Sequence, residues 1–130
     1  MNKDLKTKKW NKKKVLIVED EYINRRILKL FLKSTEISIL ECDAGDTSVD
    51  FVKNNEDIDL ILMDIKLPGM NGIDATKMIK EIRPQLPVIA QTAYASTEDQ
   101  EKYKEAGFDD FLAKPIDRDI LYTILDSYLS

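Results

Sequence analysis

The sequence predicts an α/β fold of three layers, in which helices cover both faces of a parallel five-stranded sheet. Five short apolar runs alternate with five helix-like segments, and the connections between them are short. Two of the runs are apolar at every position, as expected for central strands that helices cover on both sides. A chain of 130 residues, 43% of them hydrophobic, is long enough for one such domain.

The strand-like runs occur at intervals along the whole chain. They are VLIV, ISILEC, LILM, VIAQT and DDFLA, at residues 15–18, 37–42, 60–63, 88–92 and 109–113. The first and the third are the runs that are apolar throughout, which is typical of central parallel strands.

Helical spacing of apolar residues predicts the first and the fifth helix. The first spans residues 22–33, and one of its faces carries Ile23, Ile27, Leu30 and Phe31. The fifth starts near Asp117 and is expected to bury Ile120, Leu121, Ile124, Leu125 and Tyr128.

Fewer residues indicate the second and third helices. The second opens near Asp46 and is marked by Val49 and Val52. The third must end by Arg83 because Pro84 follows, and its stripe consists of Ala75, Met78, Ile79 and Ile82.

The fourth helix, over residues 97–106, has clear ends and a weak apolar face. Ser96 followed by Asp99 resembles a capping box, and Gly107 is a natural residue to end the helix. Tyr103 and Ala106 make up most of its apolar surface, so we expect a helix that shifts easily.

Composition places the domain in the cytoplasm. The single cysteine, Cys42, excludes an internal disulfide and fits a reducing compartment. No apolar run approaches the ~20 residues of a membrane span, and the basic N-terminus lacks the apolar core of a signal peptide. We therefore expect no membrane contact by this domain.

Charge divides the chain in two. Residues 1–14 contain seven lysines and one aspartate, which leaves 13 of the 20 basic and 23 of the 24 acidic side chains for the remainder. We interpret residues 1–13 as a basic tail or linker and residues 14–130 as the domain. Such a tail can bind nucleic acid or a membrane surface, but a solvated terminus is commoner, and we expect no direct nucleic-acid contact. Trp10 indicates that the tail contacts something.

Five chemically capable side chains fall at the carboxyl ends of strands, where ligands bind in folds of this class. They are Glu19, Asp20, Asp64, Thr92 and Lys114. Each alone can be a helix cap, a turn residue or a surface side chain. Together they place three carboxylates on one rim, which Mg²⁺ would neutralise. The chain has no histidine, which excludes a Ser-His-Asp triad and any histidine-ligated metal.

The motifs VLIVEDE, LILMDIKLPGMNG, VIAQTA and DDFLAKP resemble the receiver domain of two-component signalling. The resemblance covers residues 14–130 and implies a flavodoxin-like sheet of order 2-1-3-4-5. It implies that Asp64 is the phosphoacceptor, and that Mg²⁺ is held by Glu19, Asp20, Asp64 and the carbonyl of Lys66.

The resemblance also assigns a switch. Thr92 would hydrogen-bond the phosphoryl group, Lys114 would pair with one of its oxygens, and the peptide bond from Lys114 to Pro115 would be cis. The aromatic switch residue is Phe111 here, which can rotate but offers no hydroxyl group. The surface of the fourth helix, fifth strand and fifth helix would change on phosphorylation, and the domain could then form a homodimer.

The expected reaction transfers a phosphoryl group from a phosphohistidine to Asp64. The histidine must belong to a partner, namely a sensor histidine kinase or a histidine phosphotransfer protein. The style of the first helix, with Asn24 near its start, resembles receivers of hybrid sensor kinases, and a stand-alone regulator is the alternative. Tyr94 is expected to shield the phosphoryl group and slow its hydrolysis.

Three rival functions make different demands on the sequence. A phosphatase of the haloacid-dehalogenase type needs a second aspartate where Lys66 stands. A flavin-binding module needs a loop rich in Ser, Thr and Gly after the first strand, and here that loop is acidic. A receiver that works without phosphorylation would not need all five site positions filled. We therefore expect a phosphoacceptor and not an enzyme acting on outside substrates.

Overall fold

The computed structural model of the chain describes residues 8–130 and confirms the α/β fold. Its strands are β1 (Lys14–Val18), β2 (Ser38–Cys42), β3 (Leu60–Asp64), β4 (Val88–Thr92) and β5 (Asp110–Ala113). All neighbouring strands are parallel, in the order β2-β1-β3-β4-β5. The two wholly apolar runs, β1 and β3, lie inside the sheet, as their sequences predicted.

Within residues 8–130, five helices form the outer layers of the fold. They are α1 (Tyr22–Leu32), α2 (Gly45–Asn54), α3 (Gly72–Ile82), α4 (Thr97–Ala106) and α5 (Arg118–Leu129), and a short 3₁₀ turn (Lys33–Thr35) follows α1. One core lies between the sheet and α1 with α5, and the other lies beneath α2, α3 and α4. Alternate residues of each strand enter opposite cores, since side chains of a strand point to both faces in turn.

The apolar face predicted for α1 is largely the exposed one. Ile23 and Leu30 are 62% and 60% exposed, whereas Leu28 and Leu32 are buried against the sheet. Helix α1 carries two apolar stripes, and periodicity by itself does not say which of them faces the sheet. The predicted stripe therefore lies largely in solvent, and Leu28 and Leu32 attach the helix to the sheet.

Smaller corrections apply to α3 and α5. Ile120 of α5 is exposed, whereas Leu121 and Leu125 are buried as predicted. The buried set of α5 also includes Tyr122 and Leu129. In α3, Met78 and Ile82 lie at the edge of the buried face and remain partly exposed, since Ala75 and Ile79 occupy its centre.

Helix α4 has the ends and the weak attachment that its sequence predicts. The Asp99 amide donates to Ser96 Oγ over 3.1 Å, and the Ser96 hydroxyl donates back to the Asp99 carboxylate over 2.7 Å. Gly107 ends the helix with a φ of 106°, a conformation that other residues rarely adopt. Tyr103 and Ala106 are the buried residues of α4.

Residues 8–13 lie against the domain. Trp10 is buried, its ring meets that of Tyr122 edge to face at 6.1 Å, and its amide donates to the Thr35 carbonyl over 2.7 Å. The predicted contact of Trp10 is therefore with α5 and the end of α1. Residues 1–7 lie outside the described residues, so the domain boundary after residue 13 stays a prediction. None of the helices in residues 8–130 has the length and apolar character needed to cross a membrane.

Candidate functional site

The carboxyl ends of four strands bring the predicted site residues to one edge of the sheet. Glu19 and Asp20 follow β1, Asp64 ends β3, Thr92 ends β4 and Lys114 follows β5. A pocket of ≈ 370 Å³ opens at this edge, and four of these five residues line it, Glu19 being buried. Parallel strands make this convergence unavoidable, because all their carboxyl ends meet at the same edge.

Three carboxylates lie close together in the pocket. Glu19, Asp20 and Asp64 each offer an oxygen, and these atoms lie within 4.8 Å of one another. Glu19 is fully buried and Asp64 is 4% exposed, whereas Asp20 is exposed. The Lys114 ammonium lies 3.2 Å from Glu19 Oε1 and 3.3 Å from Asp64 Oδ1. One ammonium group thus pairs with two of the three carboxylates, and negative charge is in excess.

The titration of Glu19 and Lys114 reflects this crowding. Burial raises the pKa of the Glu19 carboxyl, and the neighbouring Asp64 carboxylate raises it further, while Lys114 opposes both. Burial lowers the pKa of the Lys114 ammonium, but Asp64 and Glu19 outweigh that effect, so the pKa is raised. Lys114 therefore stays charged at neutral pH, and the raised pKa of Glu19 shows that Lys114 does not fully offset the burial of Glu19 and its proximity to Asp64.

The loop after β3 holds Asp64 by its backbone. The Lys66 amide donates to Asp64 Oδ1 over 3.2 Å, and the Gly72 amide donates to the Ile65 carbonyl over 2.9 Å. A Cβ atom at position 72 would lie 2.1 Å from the Asp64 carbonyl oxygen. Glycine is therefore required there, because α3 begins in direct contact with the backbone of Asp64.

Lys66 and Tyr94 meet at the mouth of the pocket. The Lys66 ammonium donates to the Tyr94 hydroxyl over 3.0 Å and lies 4.7 Å from the centre of its ring. Both side chains line the same pocket as Asp64, and both are exposed. The pair thus stands beside the acidic cluster, on the side facing solvent.

The residues that the resemblance assigns to a switch lie in or beside the pocket. Phe111 on β5 is partly buried and lines a groove against α4. The peptide bond from Lys114 to Pro115 is cis, as predicted. Thr92 is buried, and its hydroxyl contacts the phenol of Tyr103 on α4.

Two neighbours of the site were not predicted from sequence. Arg25 donates to the Glu19 carbonyl over 2.7 Å, and Tyr103 contacts Thr92 over 2.9 Å. A single arginine on an exposed helix and a tyrosine on an apolar face are both commonplace, and neither carries a signal that distinguishes it. Only the packing of α1 and α4 onto the strand ends brings them to the site.

The family model described as the response regulator receiver domain matches residues 15–126. The chain belongs to this family. Curated relatives include a cyclic di-GMP phosphodiesterase of Thermotoga maritima, 39% identical over 82% of this chain and 28% of the relative. Another is the signal transduction histidine-protein kinase BarA of Escherichia coli, 38% identical over 88% of this chain and 12% of the relative. The receiver thus spans less than a third of either relative's length.

Solved receiver domains share the fold closely. The receiver domain of Ssk1 from Saccharomyces cerevisiae, crystallised with the histidine phosphotransfer protein Ypd1, is 32% identical with a TM-score of 0.85. That match covers 91% of this chain and 89% of the other. The receiver domain of the sensor histidine kinase PA1611 from Pseudomonas aeruginosa, with magnesium coordinated in its active-site cleft, is 33% identical with a TM-score of 0.83. That match covers 90% of this chain and 97% of the PA1611 receiver domain.

Proposed function

We propose that this receiver accepts a phosphoryl group on Asp64 from a phosphohistidine of a partner protein, with Mg²⁺ bound beside it. The observation that carries the proposal is the position of Asp64. Its carboxylate lies beside the Lys114 ammonium and two further carboxylates, in the lining of an open pocket. A nucleophile, a counter-charge and a cation site are thus within reach of one incoming group.

The donor set of the pocket fits Mg²⁺. Glu19, Asp20 and Asp64 supply carboxylate oxygens within 4.8 Å of one another, and the Lys66 carbonyl is the further ligand we propose. Oxygen ligands on an open, solvent-facing site suit this ion, which retains several waters. When bound, Mg²⁺ would offset the excess negative charge and polarise a phosphoryl oxygen.

The transfer itself is carried by three side chains. An oxygen of the Asp64 carboxylate attacks phosphorus, and the bond from phosphorus to the partner's histidine nitrogen breaks. Lys114 pairs with a phosphoryl oxygen, and Thr92 donates a hydrogen bond to another. Transfer replaces the single negative charge of the Asp64 carboxylate with a phosphoryl group that carries about −1.5 to −2. This group attracts the Thr92 hydroxyl, and movement of Thr92 towards it lets Phe111 turn inward. The surface of α4, β5 and α5 changes as a result, and a homodimer could form there.

The exposed stripe of α1 supports a protein as the phosphoryl donor. Tyr22, Ile23, Ile27 and Leu30 form a contiguous apolar row that begins beside the pocket. An apolar stripe of this kind on a helix is typical of a docking surface. We propose that its partner is a sensor histidine kinase or a histidine phosphotransfer protein. We further propose that this receiver is a module of a hybrid kinase and works in the cytoplasm. A stand-alone regulator is the alternative.

Phosphorylation by a small donor tests the proposal. Wild type is incubated with acetyl phosphate and Mg²⁺, beside Asp64→Asn, and intact mass is measured. We expect wild type to gain one phosphoryl group, and Asp64→Asn or wild type in excess EDTA to gain none, because nucleophile or cation is then missing. Asp110→Asn, outside the pocket, is the matched control and should react like wild type. Equal labelling of Asp64→Asn would refute the assignment of the acceptor.

A further inference from the structure

The Thr92 hydroxyl is held by the phenol of Tyr103 on α4. The two oxygens lie 2.9 Å apart, and the phenol donates to the Tyr94 carbonyl over 2.7 Å. The Tyr94 amide donates to Thr92 Oγ1 over 2.9 Å. Three hydrogen bonds therefore close a ring that joins the end of β4 to α4.

Counting hydrogens shows that the Thr92 hydrogen is already used within this ring. Each hydroxyl has one hydrogen to donate. When the Tyr103 hydrogen goes to the Tyr94 carbonyl, the shorter of that carbonyl's two contacts, the hydrogen between the two hydroxyls comes from Thr92. The other acceptor near Thr92 is the same Tyr94 carbonyl, at 3.1 Å. In this ring Thr92 has no hydrogen left to donate to a group on Asp64.

We propose that Tyr103 is a positioning residue that holds Thr92 in the resting state and couples its release to α4. The proposal rests on the proposed function, in which Thr92 donates to a phosphoryl oxygen on Asp64. On phosphorylation the Thr92 hydrogen leaves the Tyr103 oxygen for that phosphoryl oxygen. Thr92 and Tyr103 are 2% and 5% exposed, so water does not compete for this bond in the resting state.

The position of Tyr103 explains how the release reaches the surface. Tyr103 and Ala106 are the buried residues of α4. The hydrogen bonds of Tyr103 therefore involve one of the two residues that attach this helix to the domain. The Tyr103 side chain also packs edge to face on Phe108 at 6.0 Å and lines, with Phe111, a groove of ≈ 560 Å³. Phe111 has no hydroxyl, and the phenol that contacts Thr92 comes from α4 in its place.

The test removes the phenol oxygen and keeps the ring. Binding of beryllofluoride with Mg²⁺, a mimic of the phosphoryl group, is measured by calorimetry for wild type and Tyr103→Phe. We expect Tyr103→Phe to bind about two- to tenfold more tightly, since the resting state alone loses the bond to Thr92, and one hydrogen bond has about this net worth. Tyr122→Phe, which removes another buried phenol that bonds the Phe31 carbonyl, should bind like wild type.

The Thr92→Ala variant shows whether Tyr103 acts by holding the Thr92 hydroxyl or through a general effect on packing. In Thr92→Ala the Tyr103→Phe substitution should leave beryllofluoride affinity unchanged, because the phenol has no hydroxyl left to hold. Thermal unfolding of all five proteins, the Tyr122→Phe control included, verifies that each is folded. Unchanged or weaker binding by folded Tyr103→Phe, or equal tightening in the Thr92→Ala background, would overturn the role of Tyr103 alone. Failure of wild type to bind the mimic would instead overturn the proposed function and, with it, this role.

Discussion

Tyr94 and Lys66 occupy the positions from which side chains can screen a phosphoryl group on Asp64. Tyr94 is 51% exposed, yet Lys66 holds its hydroxyl over 3.0 Å and contacts its ring face. The hydrogen bond to Tyr94 raises the pKa of the Lys66 ammonium. Lys66 therefore remains charged at neutral pH, and the ring is kept beside the pocket and not free in solvent.

Loss of the Tyr94 ring should shorten the life of the phosphorylated state. In Tyr94→Ala, water reaches phosphorus more easily, and we expect the half-life of the aspartyl phosphate to fall about two- to tenfold, or about 0.4–1.4 kcal/mol of barrier. The half-life is measured by intact mass after the small donor is removed. Tyr22→Ala, which deletes an exposed ring outside the pocket, is the control. An unchanged half-life in Tyr94→Ala removes the shielding role.

Helix α1 packs on the sheet with one face and exposes a second apolar face to solvent. Leu28 and Leu32 attach it to the sheet, while Ile23, Ile27 and Leu30 face solvent. Arg25, Arg26, Lys29 and Lys33 line the groove beside this stripe, although the chain as a whole carries a net charge of −4. An apolar row flanked by basic side chains suits a partner helix with an apolar face and acidic edges.

Shortening one side chain of the stripe should weaken phosphotransfer from a protein but not from a small molecule. For Ile23→Ala we expect about five- to thirtyfold weaker binding of a phosphorylated histidine phosphotransfer protein, the loss typical of a central interface residue. Labelling by acetyl phosphate should match wild type, since the pocket is untouched. Transfer is followed by gel with radiolabelled donor protein.

Ile120→Ala on α5 is the control for that experiment, because this isoleucine is exposed to a similar extent as Ile23. Equal loss in both variants would show that exposed apolar surface in general, and not the α1 stripe, is what the donor contacts. Normal transfer by Ile23→Ala would exclude the stripe as the docking surface.

At the scale of the molecule, residues 8–13 pack through Trp10 against α5 and the end of α1. Trp10 belongs to the same core as Leu32 and Tyr122, and Lys8 pairs with Asp126 over 3.2 Å. Part of the lysine-rich tail is therefore packed onto the domain. Residues 8–13 are tied through Trp10 to α5, which belongs to the surface that we propose to change on phosphorylation.

Removing the Trp10 side chain should destabilise the whole domain. We expect Trp10→Ala to lower the free energy of unfolding by about 3 kcal/mol, because a large buried ring leaves a cavity. Lys8→Ala removes only a partly exposed ion pair and should cost less than about 1 kcal/mol. Both are measured by urea unfolding. If Trp10→Ala is as stable as Lys8→Ala, the segment contributes nothing to the domain.

The sequence by itself determined the fold and placed five chemically capable side chains at one edge of the sheet. Alternation of apolar runs with helical spacing predicted a parallel sheet, and parallel strands bring their carboxyl ends to one edge, so Asp20, Asp64 and Lys114 had to converge. The cap at Ser96 and the turn at Gly107 were readable because each is a local rule of backbone hydrogen bonding.

Only the tertiary structure decided which surfaces face each other. Both stripes of α1 are apolar, but Leu28 and Leu32 pack against the sheet, whereas Ile23 remains exposed. Tyr103 came to hold Thr92 because α4 packs across the end of β4, and Trp10 came to lie on Tyr122 although 112 positions separate them along the chain. Periodicity and propensity act over a few neighbouring residues, whereas these contacts depend on how whole elements pack.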